Sequence, residues 1–402
     1  MVVLHRRLQS AFFSWGWLLP TVLPIAQVLG RAVFSILIVF YFFWGSISLY
    51  GQKKNIEHPL LGLFVALLLA FLMSVPGAED VARAWHKWLK FLVYSMSFVF
   101  TLVALQQGQD NFERLCRALA GMGIGLIGVL YLHLAYVLWT SAEFVPAQQL
   151  KEDNLPFLLP FLLYGLQWIE YRKYRLFLGG ALLLSVLFYV VLSEGRAALL
   201  ALMVALVLYG VLVVGWRLKT LLLPGTVAAI ALIGMMTIVH VEPPAKEKET
   251  WTDLVDRISS GRTVLWRQAF VYPPESVVTG VGMGNARYAE EALTISEGRQ
   301  VRHFHNLFVD AWYETGLFGL VAITGWLLLI LTRAWRDWRK SIAEDRRQLG
   351  LLLSASAAIL TAAQLGPSYA SSLVSVYLMV LFAALTVFHG KIQQTFFEPA
   401  NQ

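Results

Sequence analysis

The chain has 402 residues and a single cysteine, Cys116, so no disulfide can form within it, and nothing in its surroundings suggests a zinc or redox site. Acidic groups are few: 25 Asp and Glu stand against 32 Lys and Arg. No Asp-x-Asp occurs, and Glu247 and Glu249 lie in the charged run KEKE. No spacing of His with carboxylates suggests a metal-ligand set, so the metal expectation is none, as is the cofactor expectation. There is no Walker loop to hold a nucleotide, and no internal repeat of the kind that marks a secondary transporter.

Apolar sequence is abundant. Hydrophobic residues make up 58% of the chain and the mean hydropathy is +0.63, beyond a soluble globular composition. A helix crosses a bilayer with about 20 mostly apolar residues. Runs of that kind fall at 10–29, 32–50, 59–76, 90–107, 118–140, 154–170, 175–193, 197–215, 219–240, 308–332, 349–367 and 371–389. The fold class expected is therefore an all-α integral membrane protein with about twelve transmembrane helices. Arg6 and Arg7 precede the first run as in a signal peptide, but that run holds Pro20 and Pro24 and lacks a clear small-residue cleavage site, so it reads as retained.

Basic residues set the orientation. With a cytoplasmic N-terminus, 18 of the 32 Lys and Arg fall in inner segments and six in short outer loops; the other eight lie in the long hydrophilic stretch 241–304. Both termini are then cytoplasmic and 241–304 is outside. The net charge of +7 follows from this bias, and nucleic acid is not an expected partner. Three units result: helices 1–9 in 1–240, the outer loop with short helices in 241–304, and helices 10–12 in 305–402.

Within the loop, SSGRTVLWRQAFVY reads as a short helix with Ser260 as N-cap, stopped by Pro273 and Pro274. TGVGMGNARYAEEAL reads as a glycine-rich turn into another short helix. Upstream, AEDVARAWHKWLKF places Trp85, Trp88 and Leu89 on one helical face and Arg83, Lys87 and Lys90 on the other. That pattern fits a helix in the interface plane, either as an anchor or as a contact to lipid phosphates.

Three outward positions carry candidate chemistry. Arg196 starts the span in SEGRAALLAL; in isolation it reads equally as an arginine snorkelling to water. Arg262 opens the loop helix, where a lone arginine is ordinarily a surface charge. His305 precedes a span whose free N–H groups and dipole favour the neutral, proton-accepting imidazole, although a lone histidine is ordinarily structural. Asn306 reads first as a helix cap, and otherwise as a partner for a sugar. Asp310 reads as an orienter of His305 or the mate of an arginine. Gly316 and Gly319 share one helix face and read as packing residues.

An outer-face reaction without nucleotide calls for a substrate already activated and already in the membrane, such as a lipid-linked pyrophosphate, whose phosphates two arginines can bind. His305-Asn306 followed by Gly316-x-x-Gly319 at the end of the large loop resembles the signature of the O-antigen ligase/polymerase superfamily. SEGRAAL, SGRTVLWRQAF and GVGMGN resemble further elements of that family. The resemblance implies a C-type glycosyltransferase-like fold and a metal-independent O-antigen ligase of the bacterial inner membrane, with its active site at the periplasmic face. It implies an undecaprenyl-pyrophosphate-linked glycan as donor, lipid A–core as acceptor, and surrounding membrane lipids. His305 would be the catalytic base; Arg196, Arg262, Asn306 and Asp310 would bind substrate. Arg267, about 140° around the same helix, competes with Arg262. Within the family the alternatives are an O-antigen polymerase and a protein O-oligosaccharyltransferase, the latter disfavoured because thirteen residues follow the last span. From another class, the alternative is a transporter.

Overall fold

The computed structural model describes residues 2–50, 59–106, 110–140, 154–193, 195–215, 256, 259, 261–294, 301–366 and 368–397. Every regular element among them is helical. The first group is α1 (Val2–Trp15), α2 (Leu18–Leu29), α3 (Arg31–Leu49), α4 (Pro59–Leu72), α5 (Val81–Ser95), α6 (Ser97–Gln106) and α7 (Asn111–Thr140). Then come α8 (Leu155–Gly165), α9 (Arg172–Leu192), α10 (Arg196–Tyr209), α11 (Arg262–Val271), α12 (Leu307–Lys340), α13 (Ala343–Ala363) and α14 (Met379–Phe397).

Each apolar run coincides with helix except 219–240, which lies outside the described residues. Among the described residues six helices are long and apolar enough to cross a membrane, or seven if α1 and α2, bent by 73°, form one span. The other apolar helices fall short for local reasons. Pro156 and Pro160 sit in α8, and α13 spends its first turns on Glu344, Asp345, Arg346 and Arg347. Of the eleven apolar runs that fall among the described residues, six or seven therefore lie in helices of full spanning length and composition, and the twelfth, 219–240, lies outside those residues. Large side chains such as Phe40, Phe43, Leu132, Phe177 and Phe188 are exposed. In α9 only 17% of the apolar window is buried, so that helix needs an apolar solvent around it.

The core is aromatic and contiguous. Phe71 of α4 stacks on Phe91 of α5 at 4.8 Å, and both meet the edge of Tyr369. α10 packs along α13, α7 along α8, and α6 along α14. The segment read as an interface-plane helix or as an anchor for the span after it forms the start of a longer apolar unit, Val81–Gln106. Asp80 caps α5 by accepting from Arg83 N at 2.9 Å.

The described part of the hydrophilic segment 241–304 builds its own small core from Leu265, Ala269, Ala286, Ala292, Leu293 and Phe304, closed by Tyr313 of α12. Gly261, at φ 76°, is the N-cap of α11; Ser260, expected in that role, lies outside the described residues. The second expected loop helix is a single 3₁₀ turn, Ala286–Tyr288, because Gly280, Gly282 and Gly284 all hold positive φ just before it.

α12 is broken at Gly316, where φ is 65° and ψ −165°. The loop segment 277–282 lies in the break: Leu317 N donates to Val277 O at 2.9 Å, and Val281 N to Tyr313 O at 3.0 Å. Gly282 N likewise donates to Glu314 O at 2.9 Å. A Cβ on Gly316 would strike the Val278 carbonyl. The two glycines therefore do different things. Gly316 supplies a backbone conformation that admits the loop, while Gly319 gives close packing against Phe71 of α4.

Candidate functional site

Arg196 is the first residue of α10, Arg262 the first of α11, and His305 stands two residues before α12. The fold brings these three helix starts together. Trp266 Nε1, one turn along α11 from Arg262, donates to Phe304 O at 2.9 Å and ties that helix to the histidine segment. On the other side, His305 Nδ1 lies 3.2 Å from Gly366 O, and Asn306 Nδ2 donates to Gln364 O at 3.4 Å. The same turn reaches α10: a Cβ on Gly366 would lie 4.0 Å from the Ala197 Cβ, beside Arg196.

Burial, and after it the Arg196 charge, pushes the half-buried Arg262 guanidinium below the ordinary arginine range. Arginine stays protonated through such a shift. Two guanidinium groups held close enough to repel, in a partly desolvated place, favour an anion that bridges them. Arg267 has a different environment. Its Nη2 is 3.9 Å from Asp256 Oδ1 and its side chain is 60% exposed, so it faces water and a carboxylate rather than Arg196.

His305 has φ 53°, the one positive φ at a non-glycine residue among those described. A backbone in this region costs of order 1–3 kcal/mol and persists where the surroundings over-determine it. Here its N–H donates to His303 Nδ1 at 3.2 Å, its ring meets Gly366 O, and Asn306 starts the helix directly after it. A carbonyl only accepts, so Nδ1 carries the proton and the imidazole lone pair is on Nε2. In the neutral ring this contact selects one tautomer, with the basic nitrogen at Nε2.

Asn306 is the N-cap of α12: Oδ1 accepts from Phe308 N at 3.0 Å and Val309 N at 3.1 Å. Asp310 is 1% exposed. Its Oδ1 accepts from Phe304 N at 2.7 Å and its Oδ2 is 3.6 Å from His303 Nδ1. The carboxylate thus steadies the His303–Phe304 segment; among the described residues its ionic neighbour is His303, not His305 or an arginine.

His303 stands with its ring 4.0 Å from that of His305. Burial alone would lower its pKa, but the Asp310 hydrogen bond and charge, with Glu314 adding to them, raise it. When protonated, Nδ1 faces Asp310; when neutral, it accepts the His305 N–H.

Sequence reasoning gave no role to Trp266, Gln364 or Gly366. Trp266 was legible in principle, one helical turn from Arg262. The other two act through backbone carbonyls, which leave no mark on residue identity.

Residues 180–324 match the family model described as O-Antigen ligase. That stretch holds Arg196, Arg262, His305 and both glycines of the α12 motif, and ends before Gly366. The exopolysaccharide production protein ExoQ of Rhizobium meliloti (strain 1021) is 31% identical over 113 residues, covering 26% of this chain and 25% of that protein. The alignment thus spans about a quarter of that relative's length. The resemblance to the O-antigen ligase/polymerase superfamily carried by the motifs is shown by these matches.

Proposed function

We propose that this chain is a metal-independent, inverting glycosyltransferase of the O-antigen ligase type. It moves a glycan from undecaprenyl pyrophosphate to a sugar hydroxyl of lipid A–core, at the periplasmic face of the bacterial inner membrane. The observation that carries the reading is the joining of Arg196, Arg262 and His305 through Trp266, Phe304 and the 364–366 turn.

His305 Nε2 takes the proton of the acceptor hydroxyl as its oxygen attacks the anomeric carbon. The bond from that carbon to the pyrophosphate oxygen breaks, and the electron pair leaves with the lipid pyrophosphate. Attack opposite the leaving group inverts the anomeric centre. Arg196 and Arg262 hold the pyrophosphate and offset its growing charge, the part a divalent cation plays in other glycosyltransferases. Gly366 O holds the Nδ1 proton throughout, so the imidazolium formed is stabilised and correctly aimed. Asn306 and Asp310 act here through the frame: one caps α12, the other fixes the strained histidine segment.

A second reading is polymerisation, in which the acceptor is another lipid-linked chain. The likeness to a protein named for exopolysaccharide production favours it. One reconstitution separates the two. Purified protein in vesicles is given the undecaprenyl-pyrophosphate-linked glycan and lipid A–core in the presence of EDTA. Glycan on lipid A–core is the expected product. A lengthened lipid-linked chain establishes the polymerase instead, and turnover that stops with the chelator overturns the metal-independent mechanism.

A further inference from the structure

On the other side of His303 lies a half-open cavity of about 220 Å³, lined by Arg83, Lys87, Arg287, Arg302, His303 and Glu314 among others. The sequence offers no single motif for it. Arg83 and Lys87 belong to α5, Arg287 to the 3₁₀ turn of the loop, and Arg302 to the segment before α12. Four fixed cations thus face one carboxylate. Among the described residues none of the four is ion-paired with a carboxylate. Glu314, the acid in the wall, is already engaged, accepting from the Tyr369 hydroxyl at 2.5 Å.

The cavity is a constructed feature. Asp80 N donates to Asn285 Oδ1 at 2.9 Å and Asn285 Nδ2 returns to Asp80 O at 3.2 Å, which clamps the start of α5 to the glycine-rich turn. Asn285 is 2% exposed, so this clamp is sheltered from water. Arg83 Nε donates to Gly284 O at 2.7 Å. Gly284, at φ 73°, lets the Lys87 stem lie against the turn, since a Cβ there would come within 2.7 Å of Lys87 Cγ. Like charges gathered in one concavity raise the local concentration of anions and cost stability when no anion is present. The volume far exceeds the roughly 10–15 Å³ that one water needs, so it admits a group larger than a bare ion.

We infer that this cavity is a second anion site, which takes a phosphate- or carboxylate-bearing sugar of the acceptor glycolipid and docks it beside His305. The acceptor as source rests on the transfer reading above; the binding of an anionic sugar does not. His303 joins the two places, since it lines the cavity and its ring touches that of the base. A sugar anchored by its anion in the cavity presents a neighbouring hydroxyl to His305, while Arg196 and Arg262 keep the donor. Acceptor choice then lies with α5 and the glycine-rich turn, away from the residues that perform the chemistry.

The test uses the full chain in nanodiscs and two readouts. The first is thermal stabilisation by glucose 6-phosphate, glucuronate, inorganic phosphate and glucose. Both anionic sugars should stabilise saturably, inorganic phosphate less, and glucose not at all. The effect should persist in an Arg196→Ala/Arg262→Ala double variant and vanish in Arg287→Glu/Arg302→Glu. Because reversal at two positions can disturb the loop, Arg302→Gln and Arg302→Lys are measured alongside, with weakening expected in the first and retention in the second. Stabilisation that follows Arg196 and Arg262, or that inorganic phosphate matches, overturns the inference. The second readout is transfer to intact and to dephosphorylated lipid A–core. Arg302→Gln should raise KM about tenfold for the intact acceptor, with little change for the donor; the dephosphorylated acceptor loses this sensitivity where the docked anion is phosphate and keeps it where the anion is carboxylate. An unchanged KM for the intact acceptor also overturns the inference. Binding without any transfer by the wild type would sink the transfer reading and leave the anion site standing.

Discussion

The two basic regions flanking the His303–His305 pair are built on different principles. Arg196 and Arg262 are first residues of separate helices, half-buried and close enough for one charge to depress the other's proton affinity. Arg83, Lys87, Arg287 and Arg302 surround an open cavity that also contains Glu314. The lesson is one of dielectric and crowding. A desolvated pair of like charges is worth most where charge develops during a reaction, whereas a wider and wetter ring of cations serves recognition. Substitutions should therefore separate the two regions kinetically.

The largest effect is expected at the base and the paired arginines. His305→Ala should cut kcat by ~10²–10⁴-fold, the range for a lost general base. Arg262→Ala should cost about 10²–10³-fold, the range for one lost charge-stabilising donor. Both would be read in the reconstituted transfer assay with KM for the acceptor nearly constant. If Arg302→Gln lowers kcat as far as these do, the division between chemistry and recognition is broken.

Next comes the break in α12. Gly316→Ala places a Cβ against the Val278 carbonyl at a positive φ, which should destabilise by about 1–3 kcal/mol or more. A lower melting temperature in nanodiscs, with loss of both transfer and anion binding, is the expected result, because the loop segment in the break carries both regions' neighbours. An unchanged melting temperature would show that the loop does not depend on the kink.

A smaller effect is expected from Trp266→Phe, which keeps an aromatic ring and removes the hydrogen bond to Phe304 O. At about 0.5–1.5 kcal/mol for one hydrogen bond, transfer should fall up to about tenfold while the cavity's anion binding is kept. The smallest is Arg267→Ala. Its guanidinium is exposed and near Asp256, so transfer should stay within about threefold of wild type, since exposed ion pairs contribute ~0–1 kcal/mol.

His303 sharpens the comparison through pH. Its pKa is raised in the folded protein, so its charged form stabilises the fold. That contribution is fully present below the unfolded value near 6.5, and is lost as pH rises through the higher folded value. His303→Gln should flatten the melting temperature against pH across that window. A profile that keeps its wild-type slope would remove His303 from the account.

Much of the helical content was legible because it depends on runs of residue type alone. Apolar stretches of span length became helices wherever the chain is described, and Asn306 took the capping position its side chain predicts. Ranking the arginines was harder. Arg262 and Arg267 differ in sequence only by position, and the structure parts them by placing Arg196 near one and Asp256 near the other. Gly316 misled in a specific way: a small residue on a helix face reads as packing, and only the inserted loop carbonyl requires φ 65° there. Asp310 misled similarly, since its place after the histidines does not say which of them it meets.

By itself the sequence determined that this chain is helical and apolar and roughly where its apolar helices run, because helix period, hydropathy and capping act over a few residues. Only the tertiary structure decided that Gly366 O holds the His305 ring, that α5 and the glycine-rich turn enclose a cationic cavity, and that α12 opens to admit the loop. These contacts join residues 61, about 200 and more than 30 positions apart, many through backbone atoms common to every residue, so identity in the chain carries no trace of them.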